Sequence, residues 1–245
     1  MKILLAPAET KISGGIKKPF SKDNFIFPEL FDKREYIFNE YTQFVNNSNC
    51  DELKKWFGLK NEKEVQKYQE VLKNKPSLKA IQRYTGVVFD ALDYDSLNAG
   101  AQKYCDENVY LFSNLFGPLR ADDMIPDYRY KQGAKLININ VENFYKDNFT
   151  KVLDDELGEE IIDIRAGYYE KFYQIKKANV LTFKFIKDGK VVSHWAKHYR
   201  GKLLKVLAQN SIDSHASFMQ TQIDGLKLIE IQEKNNIKQL IMQIV

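Results

Sequence analysis

Ten of the residues from Lys171 to Lys205 are lysine or arginine, and Asp188 is the one acid among them. That local charge of +9, in a chain whose formal net charge is +4, is the footprint expected for binding a polyanion: nucleic acid, a nucleotide or phosphate. A solvated cationic face is the plain alternative for any charge run. The end of this segment reads as a helix from Trp195 to Gln209, with Trp195, Tyr199, Leu203, Val206 and Leu207 at helical spacing as one buried stripe. Lys197, Arg200, Lys202 and Lys205 fall on the remaining arc, where phosphates can reach them. Gly201 inside the helix costs about 1 kcal/mol relative to Ala, which implies close approach of its backbone to another element or to a phosphate.

A second group lies upstream. Leu115-Phe116-Gly117-Pro118-Leu119 has the apolar-x-Gly-x-apolar pattern of the hairpin in helix-hairpin-helix modules, whose backbone N–H groups meet a DNA phosphate. Pro118 removes one such amide. Arg120, Asp122, Asp123, Tyr128 and Arg129 follow in an irregular, proline-containing stretch of the kind that lines sites. Among those arginines Asp123 reads as an oriented carboxylate of lowered pKa. It is the candidate base of an enzyme acting on a nucleotide or nucleobase, with Arg120, Arg129, Lys197 and Arg200 holding phosphates; a structural salt-bridge cluster is the competing reading.

Other chemistry finds less support. His194 and His198 are four apart, but Trp195 stands where H-E-x-x-H has Glu, His215 is the only other histidine, and the surroundings are cationic. No metal and no cofactor are expected. Glycine-rich phosphate loops of the two standard types are absent, Ser113 has no histidine nearby in sequence, and the acids at 154–156 and 159–160 read as a solvated face.

The elements that position these groups are legible in outline. Met1 to Pro7 is a buried opening strand ended by proline, and residues 8 to 28, with Pro19 and Pro28, form a long surface loop. Helices are predicted over Glu29–Val45, Asp51–Phe57 and Asn61–Lys73, with Asp51 and Asn61 as caps and Glu64 completing a capping box. Val87-Val88-Phe89 and Asn108–Phe112 are β-like, Val141–Leu157 is helical and Glu160–Ile164 is a strand. Val180–Ile186 and Lys190–His194 flank Asp188-Gly189 as a hairpin. Leu226–Ile231 is a strand, whereas Ile237–Val245 fits strand or helix equally. No repeat or linker divides residues 1–245, so one α+β domain, a mixed sheet surrounded by helices, is the economical reading.

Ala6-Pro7-Ala8-Glu9-Thr10, then Ser113 to Arg120 with Asp123 and Tyr128-Arg129 through Gly133, then Trp195-Ala196-Lys197 with Arg200-Gly201 are linked blocks that together, along nearly the whole chain, resemble the peroxide-stress protein YaaA family. Phe144-Tyr145-Lys146-Asp147 and Ile162-Asp163 through Tyr169 match more weakly. Glu9, Thr85, Lys131, Asp163 and Tyr168 depart from the family's Lys, Lys, Glu, Asn and Glu. The resemblance implies a compact single-domain α+β fold with a helix-hairpin-helix-like element and a basic cleft. It also implies DNA binding and protection from peroxide by limiting free intracellular iron. The basic segment independently supports only the polyanion contact. On this reading Gly117, Arg120, Arg129, Lys197, Arg200, Gly201, Lys202 and Lys205 form the nucleic-acid surface, and the many tyrosines and phenylalanines favour non-duplex or distorted DNA through stacking on unpaired bases. A nucleotide or phosphate is the alternative ligand, and a nucleotide- or nucleobase-processing enzyme in the same cleft the alternative function.

Composition agrees with a packed protein: 44% of the 245 residues are hydrophobic and 29% charged, with only 12 glycines and 6 prolines. No apolar run approaches the roughly 18 residues of a membrane span, and the short N-terminal apolar run does not read as an export signal. Cys50 and Cys105, the only cysteines, read as free thiols in a reducing cytoplasm.

Overall fold

The continuous apolar run Ile3-Leu4-Leu5 has no polar alternation, as expected of a strand covered on both faces, and all three residues are fully buried. The computed structural model describes residues 1–16, 21–136 and 138–245, except for the side chains of Ser193 and His194. Its ten strands among the described residues are β1 (Lys2–Leu5), β2 (Ser77–Lys79), β3 (Val109–Ser113), β4 (Gly117–Arg120), β5 (Met124–Pro126), β6 (Glu160–Ile164), β7 (Asn179–Lys187), β8 (Lys190–Val191), β9 (Leu226–Lys234) and β10 (Ile237–Ile244). Eight form one mixed sheet in the order β4-β3-β1-β6-β7-β10-β9, with β8 on β7. The central five are parallel and both ends are antiparallel. β2 and β5 make a separate antiparallel pair.

Helices α1 (Phe31–Asn47), α2 (Cys50–Phe57), α3 (Glu62–Gln69), α4 (Ala80–Arg83), α5 (Val87–Leu92), α6 (Ala99–Asn108), α7 (Val141–Glu156), α8 (Ser193–Gln209) and α9 (His215–Met219) complete the α+β domain. Polar caps start several of them. The side chains of Asn49, Asn61, Asn98 and Asn140 each accept a backbone N–H of the first turn. Asn49, not Asp51, therefore caps α2.

The β7–β8 hairpin forms at Asp188 (φ 51°) and Gly189 (φ 74°), both in the positive-φ region that a two-residue turn requires. Other expectations are corrected. Val87-Val88-Phe89 is the start of α5 rather than a strand, because Phe89 and Leu92 are buried one turn apart and the helix packs closely on α8. The helix-hairpin-helix-like element expected at 115–119 is instead a β3–β4 hairpin, with Ser113 paired to Gly117. The 8–28 segment is not wholly a surface loop: Lys11 and Ile16 bridge to Tyr84 and Ser77, and Phe25 and Phe27 are buried. Pro19 lies outside the described residues. Ile237–Val245, open between strand and helix, is a strand.

Two fully buried arginines hold the loops that the sequence left irregular. Arg34 donates to the carbonyls of Phe116, Pro118 (2.7 Å) and Ile26 (2.9 Å). Arg83 donates to those of Ile125 (3.1 Å), Gly14 (3.0 Å), Pro76 (2.9 Å) and Ile12. Buried backbone acceptors are thereby satisfied in segments with little ladder pairing.

Candidate functional site

In a sheet with a parallel centre, ligands enter at the carboxyl ends of strands where the chain's crossovers diverge to opposite sides. Here the chain runs from β1 outward to β3 and β4, and only later returns on β1's other side as β6 and β7. At the carboxyl ends of β1 and β6 lies a cavity of about 420 Å³. Residues 5–10 and 85–89 with Ile164 and Ala166 build its largely apolar wall, together with Gln132 and Tyr169, and Lys197 and Arg200 reach it from α8.

Arg200 is the unusual group. It is half-buried, burial holds its pKa below the ordinary guanidinium range, and it makes no hydrogen bond or ion pair among the described residues. Asp163 acts on it only at longer range, being itself bonded to Arg165 (2.7 Å and 2.9 Å). Lys197 is exposed and likewise unpaired. The carboxylate at the rim, Glu9, is already neutralised: Oε2 accepts from Arg129 Nη2 at 2.9 Å and Oε1 from the Gln132 N–H at 3.1 Å. Arg129 also donates to the carbonyls of Phe57 (2.9 Å) and Glu9 (3.2 Å). It thus positions the wall instead of facing the cavity.

Lys11 stands behind that wall. Its Nζ donates to the carbonyls of Ala8 and Glu9 and lies 4.0 Å from the Tyr128 ring centre. Burial lowers its pKa to about 7, partly opposed by Asp127. Tyr128 in turn bonds Tyr84 (2.8 Å) and Ser113 (2.6 Å), so Lys11 rests against a buried chain of hydroxyls.

The remaining sequence-derived residues are elsewhere. Arg120 pairs with Tyr110 at the opening of β3, the opposite end of the sheet from the cavity, and is held by Asp122 (2.6 Å and 2.8 Å), which raises its pKa. Gly117 is buried; a Cβ there would stand 2.2 Å from the Tyr145 ring, so its freedom serves packing and a turn at φ 69°. A Cβ on Gly201 would stand 2.2 Å from the Val88 carbonyl, so the close approach is to α5. Lys202 pairs with Asp224 (3.5 Å) and Lys205 with Asp93 (3.1 Å). Trp195, expected in the buried stripe, is 44% exposed.

Asp123 does not line the cavity. It is buried in the β4–β5 turn and accepts the Ile26 and Arg120 N–H groups at 2.8 and 3.0 Å. Burial pushes its pKa up to about 7 against the pull of Arg34, the reverse of the expected lowering. Of the departures, Glu9 and Asp163 are the paired groups above. The Thr85 carbonyl accepts from Thr10 Oγ1, the Lys131 chain lies over Gly58, and Tyr168 donates to Glu142. Among the described residues no three His, Cys, Asp or Glu gather as metal ligands, and no helix is long and apolar enough to cross a membrane.

The fold and site define a class: an α+β protein with unpaired cations at an apolar-walled cavity on the carboxyl edge of a mixed sheet. The family described as "Peroxide stress protein YaaA" matches residues 1–232, and the chain belongs to that family. It is 44% identical to the "Uncharacterized protein Cj0984" of Campylobacter jejuni, across the full length of both chains. UPF0246 proteins of Corynebacterium glutamicum and Corynebacterium efficiens are 32% and 35% identical, over the whole of both chains and over 85% of each respectively. Family membership makes this a peroxide-stress-related protein.

Proposed function

We propose that this is a cytoplasmic stress protein that binds DNA, with Lys197 and Arg200 holding backbone phosphate at the mouth of the cavity. The observation that carries the reading is Arg200: a half-buried guanidinium with no partner among the described residues gains most from an anion that replaces its lost solvation. The paired state of Lys202 and Lys205 narrows the basic segment to Lys197, Arg200 and the cations before them. Protection from peroxide by limiting free intracellular iron enters this reading from the family resemblance alone. Anisotropy titrations of labelled single-stranded and duplex oligonucleotides test the reading. Binding at low salt that weakens in Arg200→Ala supports it, and no binding, or binding indifferent to Arg200, rejects it.

An enzyme that processes a nucleotide or nucleobase is the second reading, favoured by the cavity's size. About 420 Å³ is a small-molecule volume. Glu9, not Asp123, is then the carboxylate at hand. Conversion of a nucleotide over prolonged incubation would establish it, and unchanged nucleotides leave the binding role alone.

A further inference from the structure

Stacking on unpaired bases needs an exposed aromatic ring in a cationic setting, and most aromatics of this chain are spent on the core. Among the described residues only Tyr36 and Trp195 are exposed large aromatics, each 44% accessible. Tyr36 is on α1, between Asp32 and Glu40 one turn away on either side, and its ring contacts Phe144 at 5.5 Å. Among the described residues no cation stands over that ring, as one does over Trp195. Trp195 is in the first turns of α8 with Lys187 Nζ 4.7 Å from its ring centre, and His198 stands edge-on at 6.3 Å.

The field around Trp195 is open to an anion. Lys187 and Lys190, paired across the β7–β8 hairpin, have no carboxylate partner among the described residues, unlike Lys202 and Lys205 further along α8. Asp188 at the hairpin tip is the one acid there, and it is exposed. Geometry adds continuity. β7 ends at Lys187 and α8 begins at Ser193, so Trp195 lies at the same carboxyl edge of the sheet as Lys197, Arg200 and the cavity.

We propose that Trp195, with Lys187 at its ring and Lys190 paired across the hairpin from Lys187, is a stacking platform for an unpaired base of single-stranded nucleic acid. The inference deepens the DNA-binding reading and rests on it. A strand whose phosphate is held at Arg200 then lays a neighbouring base on Trp195 while the hairpin lysines accompany its backbone. Perfect duplex cannot offer that base without unstacking, so discrimination between the two forms comes from this ring.

The experiment is a titration of the full chain with twelve-residue oligo(dT) and with a blunt duplex of the same length. It compares wild type, Trp195→Ala, Trp195→Phe and Lys197→Ala/Arg200→Ala. Trp195→Ala is expected to weaken oligo(dT) binding about ten-fold, with duplex binding unchanged and Trp195→Phe retaining most of the affinity. In a Trp56→Phe background, where Trp195 is the only tryptophan, oligo(dT) quenches the fluorescence. Should that background not fold, the anisotropy comparison stands alone. Oligo(dT) binding that depends on Arg200 but is indifferent to Trp195→Ala overturns the platform and leaves DNA binding standing. A Trp195-dependent single-strand preference that ignores Lys197→Ala/Arg200→Ala keeps the platform and removes the cavity from the reading. Absence of binding to either oligonucleotide overturns both.

Discussion

Replacing Lys197 and Arg200 together by alanine separates a site from a diffuse charge. Both side chains line the cavity and neither has a partner among the described residues, so each is free to release one counterion on binding. For duplex DNA each phosphate contact contributes about −0.9 to the slope of log K against log salt. At roughly 0.15 M salt that corresponds to about 5-fold in affinity per contact, or about 30-fold for two, with a slope shallower by about 1.8. Lys202→Ala/Lys205→Ala removes the same charge from the same helix. These lysines are engaged by Asp224 and Asp93, so the expected loss is a few-fold at most, with a stability cost of about 0–1 kcal/mol per exposed pair. Lys60→Ala/Lys63→Ala, both exposed, controls for net charge. Anisotropy titrations between 0.05 and 0.3 M salt (roughly a six-fold range about physiological strength) read slope and affinity together. Equal losses from all three pairs would refute the reasoning, because only total charge would then matter.

Gly201→Ala is expected to destabilise by about 1–3 kcal/mol in urea unfolding, since its Cβ would meet Val88 and Ala91; a solvent-facing glycine would instead give a gain of about 1 kcal/mol, so the sign decides. Glu9→Gln leaves Arg129 without its ion pair and removes a negative charge from the rim, so nucleotide affinity should rise several-fold by calorimetry; a fall would show that Glu9 contacts ligand productively. Asp123 has a folded pKa raised to about 7, so the native state holds more protons than the unfolded state between about pH 4 and 7, and stability from this group declines as pH rises through that window. Unfolding of wild type against Asp123→Asn at pH 5 and pH 7.5 checks this, and a constant difference contradicts it. Burial pushes the Cys105 thiol up to about 12 and raises that of Cys50, disfavouring the reactive thiolate. Replacing Cys50 by Ser and Cys105 by Ala should therefore leave peroxide protection in cells intact at equal protein level.

What the sequence determined by itself was local or periodic. β1, β6, α1, α7 and the β7–β8 hairpin declare themselves through apolar runs, helical spacing and Asp188-Gly189, signals that need no knowledge of neighbours. The positive stretch and the linked family blocks were equally legible. Tertiary structure decided everything that depends on partners distant in the chain. Val87-Val88-Phe89 has strand-forming residues, yet packing on α8 through Gly201 makes it a helix. Asp123 sits among arginines in sequence, but its depth in the β4–β5 turn raises its pKa. Lys197 and Lys202 are indistinguishable on a helical wheel of cations; Asp224, brought in by the fold, pairs with one and leaves the other at the cavity. Spacing along a chain fixes which residues share a face, whereas desolvation and Coulomb pairing depend on distances through space, which only the packed sheet and its crossovers set.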